Sequence, residues 1–519
     1  MAKQTINHGT TAGDKTGESL FAAFKKSKEN FDELYGAKPT FVADEAALPV
    51  MGEAAKIYVA IDTGVLYRWG GSAYVALTFG VGTDASGNTA LVGADGALFS
   101  LFGPSVLTVG AKGRFATLRD AIDYINTQTY IETLHTGSYT YADGARILTA
   151  SANISTGTIG KQLFLQHDTD ALLYPIEVHN QPSSSAIMRP FYPLYGRTAG
   201  ATDFSIVSPT ANWVIVLLPG RHAGDGAPLE IPPFTSVIGY GKEACIFEDE
   251  VSAINRGIIE IPASSQHVVL KGFSVFNHGT ARGGSVMLTD ENASVITTGQ
   301  RIVIDDFHTQ SIGGSEDGIW KRSDTKNVLD SIRINNLSGT GYYDTIALFG
   351  CRSVDITDCD IYSINAPDQD LPQSCSLSGN SLVNSTFRVS RNNFRAYNGS
   401  TAFSAAAIAC KVSATTAGTK NTYVRFDNNI VEVEGKPTSP VIPSLESNAF
   451  GLQVAESGVA VGDLVVHAAN NIFDCYGADL NYAINSGASG VVFSTNNRNS
   501  AGSAITTGTV GGGSLTVVL

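Results

Sequence analysis

The sequence predicts an all-β chain built as a right-handed parallel β-helix, a β-solenoid, behind a small N-terminal region that contains a helix. Three observations predict it. One is a short phrase that recurs between residues 268 and 497: two alternating apolar residues, a polar pair rich in Asn, and one apolar residue. It reads Val268-Val-Leu-Lys-Gly-Phe273, Ile302-Val-Ile-Asp-Asp-Phe307, Ile332-Arg-Ile-Asn-Asn-Leu337 and Val354-Asp-Ile-Thr-Asp-Cys359. It returns at Phe387–Phe394, Val424–Ile430, Val466–Ile472 and Val491–Asn497. The second is spacing. The last polar residue of each pair falls at Gly272, Asp306, Asn336, Asp358, Asn393, Asn429, Asn471 and Asn497, with successive differences of 34, 30, 22, 35, 36, 42 and 26. A repeat of that size with irregular insertions marks a solenoid. The third is composition: charged residues are only 16%, while Gly reaches 54 of 519 residues, which suits a turn-rich β protein. A Greek-key sandwich fits the stacked Asn phrase poorly.

In such a solenoid each repeat is one coil, and equivalent positions stack about 4.8 Å apart along the axis. Phe273, Phe307, Leu337, Cys359, Phe394, Ile430 and Ile472 are expected to form one internal column. The Asn column is expected where the chain turns, because Asn tolerates left-handed backbone and its stacked amides can bond from rung to rung. One coil cannot bury its apolar face alone, so its neighbours supply the core.

A formal net charge of −14 argues against nucleic acid as the main partner. No apolar run is long enough to span a membrane as a helix, and Met1-Ala-Lys-Gln-Thr-Ile-Asn-His-Gly9 lacks the apolar core of a secretory signal. Six cysteines, Cys245, Cys351, Cys359, Cys375, Cys410 and Cys475, lie scattered without metal spacing and read as buried thiols.

Taken in order, residues 1–38 open Gly/Thr-rich and extended, then form a helix to Tyr35. Its apolar positions Leu20, Phe24, Phe31 and Leu34 suit a seam between helices of different chains or a face packed on its own domain. Residues 39–80 are a small β module, a meander with turns at Asp62-Thr-Gly64 and Gly70-Gly-Ser72. Trp69 and Tyr74 are read as packing that sheet rather than touching sugar. Residues 81–108 are a Gly-rich linker or neck. Residues 109–127 hold a short helix capped by Thr117, with Leu118, Ile122 and Ile125 on one face, that plugs the open end of the solenoid. Residues 128–211 are an inserted β lobe, residues 212–500 the parallel β-helix, and residues 501–519 a β tail whose last strand can pair between chains.

Two stretches carry a family resemblance. Ile6-Asn, Gly9-Thr10, Ala12-Gly13-Asp14, Thr16-Gly17, Ser19-Leu20, Ala23-Phe24 and Asn30-Phe31-x-Glu33-Leu34-Tyr35 resemble the virion-anchoring start of bacteriophage tail fibres and tailspikes. Residues 109–126, followed by Val214-Ile-Val-Leu-Leu-Pro-Gly220 and Pro233–Gly241, resemble the start of the pectate-lyase-like β-helix of phage depolymerases. The long stretch between Gln128 and Asn212 departs from that pattern. The resemblance implies a homotrimer in the virion tail. Its N-terminus would join the phage tail, baseplate or an adaptor protein, and its body would engage a bacterial surface polysaccharide, with no nucleic acid or membrane partner.

Spikes of that family that cut glycans use carboxylates on the outer face of a coil or between subunits, and glycoside cleavage needs an acid and a second carboxylate. The first candidate pair is Asp317 and Asp344, 27 residues apart in the parallel phrases Glu316-Asp-Gly-Ile-Trp320 and Tyr343-Asp-Thr-Ile-Ala347. Glu316 is the substitute for Asp317. Trp320, Tyr342 and Tyr343 could stack on sugar rings, and Arg322 or His308 could steady an anionic group. The competing reading makes both Asp residues strand-starting turn residues. The second candidate is the outward column Val269, Val303, Arg333, Asp355, Arg388, Arg425, His467 and Val492, where Asp355 sits between Arg333 and Arg388. It suits a structural ion-pair stripe, or a basic groove for an acidic polysaccharide. Asp305, Asp306, Asp358 and Asp360 are read as holding turns. No metal or other cofactor is expected, and no Ser-His-Asp or phosphate-loop motif occurs. The expectation is a tailspike that binds and endo-cleaves a host capsule or O-antigen, as hydrolase or lyase. The alternatives are a spike that binds without cutting, and a purely structural tail component.

Overall fold

A computed structural model describes residues 40–53, 57–60, 66–69, 71–77, 80–83, 89–92, 98–100, 105–111, 113–128, 131–139, 148–150, 163–167, 173–180, 186–190, 202–250, 256–279, 283–289, 299–311, 317–321, 328–342, 344–364, 372–380, 383–398, 407–413, 421–435, 448–454, 464–476, 480–486, 490–505 and 514–517. The expected anchor helix, the turn at Asp62-Thr-Gly64, and the side chains of Glu316, Arg322 and Tyr343 lie outside these residues. The chain divides into two compact units, Met1–Pro104 and Ser105–Leu519.

In the first unit, Thr40–Val42, Ile57–Ala60, Leu66–Trp69 and Tyr74–Leu77 form a four-stranded sheet in that order. The first pair is parallel and the others antiparallel. Tyr58 and Tyr67 are its buried centre. Tyr74 meets Tyr58 and Trp69 edge-on, with ring centroids 5.2 and 5.0 Å apart, so these aromatics pack the sheet. Residues 81–108 differ from a bare linker. Gly80–Thr83, Thr89–Val92 and Leu98–Ser100 make a three-stranded antiparallel sheet. Val106–Val109 already belongs to the second unit and pairs in parallel with Trp213–Leu217.

The second unit is a parallel β-helix of three sheets. Each coil runs through the first sheet, bends into the second, and crosses to the third before rejoining the first on the next rung. Such parallel connections are right-handed as a rule. Three long strands, Val268–Asn277, Arg301–Ser311 and Leu329–Gly341, run through the bend between the first and second sheets. The bend is one left-handed residue, Gly272, Asp306, Asn336, Asp358, Arg391, Asn428, Asn470 or Asn496, with φ between 48° and 70°. A single left-handed residue turns the strand without surrendering its ladder, which is why Gly, Asn and Asp recur there.

One continuous apolar core runs from Leu107 to Val492. The helix Leu118–Asn126 adds Leu118, Ala121, Ile122 and Ile125 to it. Thr117 caps that helix in a reciprocal capping box with Asp120, and Arg119 ties it to Asp225 and to the Ala227 carbonyl. Ile131–Tyr139, Leu148–Ala150, Leu163–His167, Leu173–Asn180, Ala186–Pro190 and Thr202–Pro209 form a six-stranded antiparallel lobe. Its Phe164 packs edge-on against Phe234 and His267, successive left-handed corners whose rings stack 5.8 Å apart.

The internal column departs from expectation halfway along. Phe273, Phe307 and Leu337 stack in register as expected, and Cys359 follows. From there the column continues as Asn392, Asn429, Asn471 and Asn497, all buried to 3% exposure or less. The residues that turn the chain are their predecessors, Arg391, Asn428, Asn470 and Asn496. Asn393 therefore sits two positions past the turn expected of it, and Asn429, Asn471 and Asn497 one position past. Side chains alternate along a strand, so an inward Asn429 sends Ile430 out, and Ile430 is 51% exposed. Phe394 does lie inside, but it stacks with Ile361, Val431 and Phe473 rather than with Cys359 or Ile430. Ile472 is half-buried beside that column.

The last coil is also one residue out of step. Val492 stacks on Val466 and is fully buried, while Phe493 takes the outward place beside His467. The final strand, Ser514–Val517, pairs with Gly490–Thr495 of its own chain as a further rung.

Candidate functional site

On the outer face of the first sheet two columns of side chains run side by side. The register sets Val269, Val303, Arg333, Asp355, Arg388, Arg425, His467 and Phe493 on successive rungs. Two residues further along each strand, and so on the same face, come Lys271, Asp305, Asn335 and Thr357. Where the columns meet they enclose a groove of about 330 Å³ lined by Val303, Asp305, Arg333, Asn335, Asp355, Thr357, Arg388 and Arg391.

One wall of the groove is locked by its own hydrogen bonds. Lys271 Nζ lies 2.7 Å from Asp305, Asn335 Nδ2 donates to Asp305 Oδ1 at 2.7 Å, and Thr357 Oγ1 donates to Asn335 Oδ1 at 3.0 Å. Burial opposes the charge on Asp305, but the Asn335 and Lys271 hydrogen bonds outweigh it and hold the carboxyl below its ordinary range. Asp305 therefore stays ionised. At the rim, Arg391 forks onto Asp358 with bonds of 2.8 and 2.6 Å, which holds the Asp358 carboxyl low as well.

The other column is less committed. Arg333 Nε approaches Asp355 Oδ2 at 3.5 Å, with the Arg333 side chain 65% exposed and that of Asp355 24% exposed. Asp355 Oδ1 is enclosed and accepts no hydrogen bond from the described residues. Arg388 is exposed and has no ion-pair partner among the described residues. Further along, Arg425 pairs with Asp427. The column is thus not a continuous ion-pair ladder: it is broken at Arg388.

The structure brings Arg333, Asp355 and Arg388 together and separates Asp317, Asp344, Trp320, Tyr342 and His308 from them. Asp317 opens the strand Asp317–Lys321 and Asp344 opens Asp344–Phe349, neighbouring strands of the third sheet paired Ile319 to Ile346. Asp344 is only 4% exposed, and its charge is felt by the buried Cys375 thiol. Trp320 is 5% exposed and packed with Met287, Ala347 and Phe349. Tyr342 is half-buried. His308 stands on the second sheet, its Nδ1 2.9 Å from Ser338 Oγ and its ring edge-on to Phe276. Burial, then Lys242, pushes its pKa down.

Sequence reasoning missed Lys271, Asn335, Thr357 and Arg391, and read Asp305 only as a turn. Four of these five were within reach, since each stands two residues beyond a member of the outward column. Arg391 was hidden by its left-handed φ of 60°. Among the described residues no group of three or more His, Cys, Asp or Glu converges to hold a metal, and no helix is long and apolar enough to cross a membrane.

No family model and no curated protein matches the chain. Among solved structures it is similar to the enzymatically active domain of tailspike protein 4 of bacteriophage CBA120. That match has 13% identity over 93% of this chain and 62% of that one, with a TM-score of 0.34. It is also similar to the A-module of the mannuronan C-5 epimerase AlgE6 of Azotobacter vinelandii, at 9% identity over 59% and 90% of the two chains, TM-score 0.31. A third likeness is to the catalytic domain of a GH87 α-1,3-glucanase, at 10% identity over 75% and 84%, TM-score 0.30. At these TM-scores there is no residue-by-residue correspondence, and no site is transferred.

Proposed function

We propose that this chain is a bacteriophage tailspike whose groove on the first sheet binds a host surface polysaccharide, capsule or O-antigen. The observation that carries the reading is the groove itself. Polar and charged side chains are held in register across successive rungs, one wall is locked by internal hydrogen bonds, and Arg388 and the partly exposed Asp355 carboxylate face the groove. A polymer of repeating hydroxylated units suits a surface that repeats about every 4.8 Å. The resemblance of residues 6–35 to virion anchors supports attachment to a phage tail, baseplate or adaptor, and assembly as a homotrimer.

Endo-cleavage of the bound glycan is a second reading. It is favoured by the in-register strands that begin at Asp317 and Asp344, which put two carboxylate residues on neighbouring rungs. The burial of Asp344 counts against direct contact with a polymer, so binding is the activity the geometry supports best.

The test is to incubate the purified chain with capsule and O-antigen of susceptible bacteria, and to follow retention, fragment size and new reducing ends. Asp317→Asn, Asp344→Asn and Arg333→Ala run beside it. Intact glycan retained by the wild type and released by Arg333→Ala is the expected result. Fragments that vanish in both Asp variants, with the fold intact, make the protein a depolymerase. Retention of no host glycan removes both readings.

A further inference from the structure

The groove carries one unbalanced charge. Lys271 is matched by Asp305, Arg333 by Asp355, and Arg391 by Asp358. Arg388 has no such partner among the described residues, although it lines the same groove. Its rung neighbour Asp355 already faces Arg333, at a loose 3.5 Å. Two groups on adjacent rungs are open to a ligand and differ in kind: the Arg388 fork without an anion, and the partly exposed Asp355 carboxylate, which accepts.

The geometry points to a carboxylate-bearing saccharide as the ligand. Its carboxylate takes the Arg388 fork in a bidentate pair, and a neighbouring hydroxyl of the same or the next sugar donates to the groove-facing edge of the Asp355 carboxylate, which Arg333 holds only at 3.5 Å. This rests on the glycan-binding reading and narrows it. A neutral glycan satisfies Asp355 and leaves Arg388 bare. A simple anion without a hydroxyl does the reverse. Only a unit carrying both groups fills the site. On a protein of net charge −14 an anionic polymer is otherwise repelled, so local surplus at Arg388 is what admits it. The carboxylate can belong to a uronic acid or to a pyruvate ketal on a neutral sugar, and both present the same fork-matching geometry.

The experiment uses the full chain and a panel of immobilised bacterial capsules and O-antigens: uronic-acid-bearing, pyruvylated and neutral. Each glycan that binds is also tested after chemical reduction of its carboxyl groups to alcohols, and separately after mild-acid removal of pyruvate. Expected is binding confined to carboxylate-bearing glycans, weakened at least about tenfold by reduction and by Arg388→Gln. The two changes together should weaken it little more than either alone, because both remove one contact. Loss on mild acid alone names the ketal as the source, and persistence names the uronic acid. Arg221→Gln, an exposed ion pair with Glu248 on the second sheet, is the control and binds as wild type. Equal binding of a glycan and its reduced form, or an Arg388→Gln chain that binds like wild type, overturns the proposal and leaves glycan binding standing. Absence of binding across the panel and on host glycan overturns both.

Discussion

Asn429 Oδ1 accepts two hydrogen bonds from Asn392 on the preceding rung, from its backbone N–H and from its Nδ2, both at 3.0 Å. Asn429 in turn gives its own N–H and Nδ2 to Asn471 Oδ1, and its Nδ2 also reaches the Val389 carbonyl. Asn471 repeats the pattern on Asn497. Asn429 and Asn471 thus each accept from the rung before and donate to the rung after, inside the core. Asn429→Ala strips the Asn392 donors of their acceptor and the Val389 carbonyl of its donor, all buried. At roughly 1–3 kcal/mol per orphaned group the loss should reach about 3–5 kcal/mol. A lowered thermal midpoint and faster unfolding in guanidinium check it; an unchanged midpoint would show that water replaces the amide.

The corner residues should behave in the opposite way. Asn428 is exposed with φ of 57°. Asn428→Gly should be close to neutral, since Gly adopts that φ without strain. Asn428→Val should cost about 1–2 kcal/mol, because a β-branched residue resists left-handed backbone. Comparing the two variants by thermal unfolding isolates backbone strain from side-chain loss.

The contrast between these neighbours explains how far the sequence could be read. Phrase and spacing revealed the coil, because burial and left-handed corners impose residue types. They did not reveal phase. Arg391-Asn-Asn393 carries three polar residues where earlier coils carry two, and a buried Asn reads like a turning one. The groove was half legible for a related reason. Arg333, Asp355 and Arg388 stand out as charges in an apolar strand, whereas Asn335 and Thr357 look like ordinary strand and turn residues until rungs are stacked. The Asp317–Asp344 pairing gave the right rungs, but spacing alone does not tell a buried carboxylate from a presented one.

Thiol chemistry offers a test of the core. Five of the six cysteines are buried and all are free. Burial pushes the Cys359 thiol up to about 12, so almost no thiolate is available at neutral pH. The native chain should leave Cys245, Cys351, Cys359, Cys375 and Cys410 unmodified by a disulfide reagent over hours, and all six should react in denaturant. Fast native labelling of Cys359, located by peptide mapping, would contradict the packed column in which it sits.

Acid should loosen the lobe before it unfolds the solenoid. Burial, and then the charge of Arg301, lower the His267 pKa from 6.5 to about 4 in the folded chain. The unfolded chain therefore binds a proton that the folded chain refuses between those two values. Stability is complete above about pH 6.5 and falls as pH drops toward 4. The ring concerned packs against Phe164 of the lobe and stacks on Phe234, so the loss is felt at that contact. His267→Phe keeps an aromatic ring and removes the proton site, and Phe234 already holds a Phe at a φ of 56° on the preceding rung. The variant should lose less of its thermal midpoint between about pH 7 and pH 4 than the wild type. Proteolysis of residues 131–209 should likewise rise with acid in the wild type and less in the variant. Parallel pH profiles for the two chains would place the acid sensitivity elsewhere.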